Sequence, residues 1–134
     1  MRFFRKLSLV FSSGCFGGLV NSLVLWFFGA KGITAHFGVK LAPPLTPPWL
    51  YPRLVWGGIW GFLFLFPFLR RSILGRGLLY SLGPTLVQLF VVFPYRTGQG
   101  VWGINLGYMT PVFVLFFNAV WGVFTAIWLR MAEE

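Results

Sequence analysis

Three side-chain amides interrupt otherwise apolar runs: Asn21 in GGLVNSLVLWFF, Gln88 in TLVQLFVVF and Asn118 in FVLFFNAVWG. An amide turned toward hydrocarbon without a partner is costly, so each must face protein or a ligand. Two chemistries fit these residues. The amides can bond between helices, at roughly 0.6 to 2 kcal/mol per bond. Lying at similar depth in their runs, they can also form a polar spot for a substrate, a quinone carbonyl or a lipid headgroup. The remaining alternative is that they face a partner subunit.

Other chemistry is ruled out by the residues that are missing. No Asp or Glu precedes Glu133, so no carboxylate can carry a proton, hold a cation or act in a catalytic pair within the apolar runs. His36 lies in a connection with no second His, Cys or acidic residue at metal-ligand spacing. No apolar run contains a histidine to ligate a haem. Ser12, Ser13 and Ser22 lack the basic neighbour that would activate a nucleophile. Neither GCFGG nor GRG continues into the Gly-Lys-Ser/Thr of a phosphate loop. A non-catalytic chain with no cofactor and no metal is expected.

The elements that must position the amides follow from composition. The chain is 57% hydrophobic and only 10% charged, with its charges gathered in short clusters. A hydrocarbon core about 30 Å thick needs about 20 apolar residues in helical form. Four runs approach this length, over 8–28, 50–69, 77–95 and 106–129. They predict an all-α integral membrane protein, with four transmembrane helices arranged as two antiparallel hairpins in a single membrane domain. The second run is the weakest, with Arg53 near its start and Pro67 near its end. It spans if Arg53 snorkels to the headgroups, and the alternative is three spans plus one re-entrant segment. GFLFLFPFL and PVFVLFF are apolar on every face, which excludes the alternation of a β-barrel strand. The first run is longer than the apolar region of an ordinary signal peptide and is expected to remain as a helix.

Charge placement sets the expected orientation. Arg2, Arg5, Lys6, Arg70, Arg71, Arg76 and Arg130 make seven basic residues on one side, against Lys31, Lys40, Arg53 and Arg96 on the other. By the positive-inside rule both termini are cytoplasmic. Arg5, Lys6, Arg70, Arg71 and Arg76 are the expected contacts for anionic lipids. The net charge of +9 therefore points to a bilayer and not to nucleic acid. The connection 30–49 is rich in proline (KLAPPLTPPWLYP) and should cross the outer surface as a stiff strap.

Small residues recur at four-residue spacing: Gly14, Gly18 and Ser22 in the first run, Gly57 and Gly61 in the second, and Asn118, Gly122 and Ala126 in the fourth. Such rows allow helix backbones to approach closely within a membrane. VQLFVVFPYRTGQG, together with the glycine-rich first run, the PP-containing loop and VWG in the last run, resembles the YagU-like bacterial inner-membrane proteins over about half of the chain. Members of that family are longer and carry an acidic residue beside the first span, which is missing here. The resemblance implies a bacterial inner-membrane location and no particular chemistry, and it supplies no site residue. The expected role is an accessory or scaffolding subunit that packs against a larger membrane complex and anionic lipids. The alternative is a small channel or transporter for a neutral or anionic solute, formed by self-association.

Overall fold

The computed structural model describes residues 2–69 and 71–133, which contain helices and no strand. Helix α1 spans Arg2–Ala30. No proline falls within it, and it stops where Gly32 takes a left-handed conformation at φ 75°. A single short turn, α2 (Ile33–His36), follows. Helix α3 (Pro47–Trp60) starts on two prolines, whose fixed φ and missing N–H suit a first turn. It tightens into a 3₁₀ stretch, Gly61–Leu65. Phe66 is extended (φ −71°, ψ 140°) because Pro67 follows it, and the helical path ends there.

Helix α4 (Ile73–Val87) is capped by Ser72, whose Oγ accepts from the Gly75 amide at 2.9 Å. Pro84 interrupts its bonding ladder, and from Gln88 to Arg96 the chain continues as a π-helix. A 3₁₀ turn (Val101–Leu106) then leads to α5, Thr110–Glu133. Among the described residues three helical segments are long and apolar enough to cross a membrane: α1, the continuous Ile73–Arg96, and α5. The run 50–69 forms a helix shifted toward its start, over 47–65, and the run 106–129 becomes helical only from Thr110.

Helix α1 packs against α3 on one side and α5 on the other, and α5 packs against α4. Each of these contacts is antiparallel. Gly14 lies on Gly57 and Gly58, and Gly18 on Arg53 and Gly57. Asn21 reaches Phe117 while Gly17 meets Thr125, and Gly77 meets Gly122 while Asn118 reaches Thr85. The result is two helical hairpins joined through α1 and α5. One end of the bundle carries the start of α1, the end of α5 and the junction between α3 and α4, and is called here the terminal end. The other, the loop end, carries the connections 31–46 and 97–109.

The apolar core divides in the same way. Val10, Phe64, Tyr80, Trp121, Ala126 and Leu129 cluster toward the terminal end, and Leu25, Val39, Phe113 and Phe117 toward the loop end. The proline-rich strap is tied down rather than loose: the Lys40 amide donates to Leu106 O at 2.8 Å, and Thr34 Oγ1 donates to Leu41 O at 2.7 Å.

Candidate functional site

The small-residue rows build the site because they fix how closely α1 and α3 run. A Cβ on Gly57 would meet Gly14 O at 2.7 Å and Gly18 Cα at 3.1 Å. A Cβ on Gly61 would lie 3.1 Å from Gly14 Cα. Backbones at such separation bring the next residue pair along the same seam, Ser22 and Arg53, into bonding range. On the far hairpin, a Cβ on Gly122 would be driven into Gly77 O, so α4 and α5 are held equally close.

Arg53 occupies the end of the first seam. Its Nε donates to Ser22 Oγ at 2.8 Å, and its Nη2 donates to Asn21 Oδ1 at 2.6 Å. Its guanidinium lies 4.9 Å from the Trp49 ring, within cation–π range. Asn21, only 5% exposed, uses its other end to donate from Nδ2 to Phe117 O at 2.5 Å. One chain of bonds therefore runs from α3 through α1 to α5. The Arg53 guanidinium is thus turned toward two acceptors on α1.

The other two amides stand on the opposite wall. Asn118 Nδ2 donates to Thr85 Oγ1 at 3.0 Å, and Thr85 Oγ1 in turn donates to Ser81 O at 2.7 Å. Gln88 opens the π-helix and makes no side-chain hydrogen bond to another described residue. Asn21, Arg53, Gln88 and Asn118 border two cavities, each of about 390 Å³. The first opens between α3 and the Pro84–Arg96 segment, with Trp56, Val91 and Arg96 among its lining. The second lies beneath the strap, lined by Lys40 to Pro43 and Trp49. The structure thus brings all three amides to one place and adds Arg53 to them.

Electrostatics distinguish this place from ordinary helix packing. The chain's only acidic residues are Glu133 and Glu134, and among the described residues no carboxylate bonds Arg53. Two neutral acceptors and a ring face answer a full positive charge only in part. An anion in either cavity would complete it. Among the described residues no group of His, Cys, Asp or Glu could hold a metal ion.

The basic residues expected at headgroups divide. Arg5 and Arg71 are exposed and Lys6 is half-buried. Arg70 lies outside the described residues. Arg76 departs from the expectation: it is 8% exposed and donates from Nη2 to Phe64 O at 2.6 Å. Its guanidinium also lies near the rings of Phe64 (5.3 Å) and Tyr80 (5.9 Å). The cause is the 3₁₀ stretch, whose terminal carbonyls lack helical partners and draw the nearest donors, Arg76 and the Tyr80 hydroxyl.

Arg53 is the residue that sequence reasoning placed elsewhere. One signal pointed to it: a single charge in a run otherwise free of charge from 41 to 69. Comparison with known proteins returns no match to a family model, a curated protein or a solved structure.

Proposed function

We propose that the chain is an integral membrane protein that holds an anionic ligand inside the bilayer without transforming it. The observation that carries this reading is Arg53, anchored on Ser22 and Asn21 beside two cavities in a chain with no carboxylate to pair it. Such a site serves a carrier or a small transporter for an anionic solute, working alone or by self-association.

The reading includes four spans. Segment 47–65 comprises 14 α-helical and 5 3₁₀ residues. At about 1.5 and 2.0 Å rise per residue these cover about 31 Å, close to the hydrocarbon thickness of about 30 Å. The positive-inside bias puts both termini on the cytoplasmic side of a bacterial inner membrane. In a Cys15→Ser background, cysteine at Thr46 should react with an impermeant thiol reagent from outside cells, and cysteine at Ser72 should not. Equal access from one side would make 47–65 re-entrant.

Binding is tested with purified protein and glycerol phosphate, read by calorimetry. The native chain should bind it, glycerol alone should not bind, and Arg53→Gln should weaken binding about tenfold, the worth of one charge-assisted hydrogen bond. Unchanged binding in Arg53→Gln would refute the site. A second reading, an accessory subunit of a larger complex, draws support from exposed aromatic residues such as Phe27, Phe62, Phe66 and Phe68. Stable co-isolation with unrelated membrane chains in mild detergent would favour it.

A further inference from the structure

The ligand can be specified further, on the premise that Arg53 marks an anion site. The geometry points to a phosphate-headed lipid that enters sideways between α3 and α4, with its head at Arg53 and its chains in the mouth of the cleft.

Donor number argues for phosphate. A guanidinium carries five N–H groups, and Arg53 commits two of its nitrogens, Nε and Nη2, to one bond each. Arg96 lines the first cavity and Lys40 the second. A carboxylate offers one charge and two oxygens, which would leave most of these donors unanswered. A phosphate group offers up to two charges and additional oxygens, and suits the two guanidiniums, Arg53 and Arg96, that line the first cavity.

The shape of the cleft argues for a lipid. Beside Gln88, Asn118 and Arg96 its lining includes Trp56, Val91 and Val92, and Trp56 and Val91 are 54% and 46% exposed. Its mouth therefore lies on the side of the bundle, where acyl chains would stand in a bilayer. Toward the terminal end α3 and α4 are closed against each other. Phe64 packs on Tyr80, and a Cβ on Gly83 would meet Leu63 Cδ1 at 2.9 Å and Trp60 Cζ3 at 3.4 Å. A bound molecule with a hydrophobic tail has the sideways route. Pro84 lines the opening, and the wall turns into the π-helix one helical turn later, at Gln88. A free phosphate ester would use the same donors and leave the apolar mouth unused.

The test uses the full chain in phosphatidylcholine nanodiscs doped with brominated phosphatidic acid, or with brominated phosphatidylcholine as the reference. Bromine quenches nearby tryptophan, and Trp56 and Trp60 both line the cleft. Phosphatidic acid should quench at a lower mole fraction than the reference, and Arg53→Gln should reduce that preference about tenfold. Arg96→Gln, at an exposed position, should reduce it less and keeps the test open if Arg53→Gln does not fold. Val91→Phe narrows the mouth, and should lower the lipid preference more than it lowers glycerol phosphate binding. Glycerol phosphate binding without any preference for phosphatidic acid overturns the lipid inference and leaves the anion site standing. Binding of neither overturns both. A preference that survives intact in both Arg53→Gln and Arg96→Gln shows that the head is read elsewhere and overturns the inference.

Discussion

Arg53 and Arg76 both turn toward neighbouring helices of the bundle, yet they do opposite things there. Arg76 sits at the terminal end in a closed setting, bonded to a main-chain carbonyl and flanked by the rings of Phe64 and Tyr80. It ties α4 to the 3₁₀ end of α3, and its buried Nε has no hydrogen-bond partner among the described residues. Arg53 sits toward the loop end, held by two side chains, with cavities beside it. An arginine in a helical bundle is a fastener when its surroundings are packed, and a candidate site when its remaining donors border space. The charge is the same in both. The space around it differs.

The contrast can be broken at several points. The largest effect is expected from Gly57→Leu, because its Cβ would already meet α1 backbone and no flexible side chain can yield. It should cost about 3 kcal/mol, at the upper end of ordinary overpacking, read as a large drop in the thermal aggregation midpoint in detergent. A harmless Gly57→Leu would mean that α1 and α3 are not held closely enough to seat Arg53 on Ser22. Next comes Arg76→Met. Loss of a buried charge-assisted bond to Phe64 O should destabilise by about 2 kcal/mol, with glycerol phosphate binding per folded molecule unchanged. If binding falls as well, the closed end and the cleft are coupled and the contrast must be redrawn.

Asn21→Leu should cost about 1 kcal/mol, since one interhelical bond is lost and packing recovers part of it. It should also weaken anion binding, because Arg53 loses the acceptor on its Nη2. Stability lost with binding intact would make Asn21 interhelical glue alone. The smallest stability effect is assigned to Arg53→Gln, within about 1 kcal/mol, because removing an incompletely paired charge from a low-dielectric site offsets the lost bonds. Its effect belongs to binding. Equal destabilisation by Arg53→Gln and Arg76→Met would erase the difference between the two arginines.

Local pattern carried the helices. Apolar runs and proline positions are properties of neighbouring residues, and α1, the Ile73–Arg96 helix and α5 form where such runs predict them. Helix ends moved by several residues because caps act locally and strongly: Pro47 and Pro48 start α3 early, and Pro67 stops it early. The π-helix from Gln88 was not legible, since it depends on how the register recovers after Pro84 within the packed bundle.

For the site, the sequence by itself determined that Asn21, Gln88 and Asn118 need polar surroundings, that close approach is possible along the glycine rows, and that no acidic partner exists before Glu133. Each of these is a property of single residues or of four-residue spacing. Only the tertiary structure decided where the two interior arginines point. Arg53 finds acceptors 31 and 32 positions away on α1, and Arg76 finds one 12 positions back in a 3₁₀ turn. A long basic side chain goes to the nearest good acceptor. In an apolar bundle that acceptor is set by which helix lies alongside, and no local pattern records it.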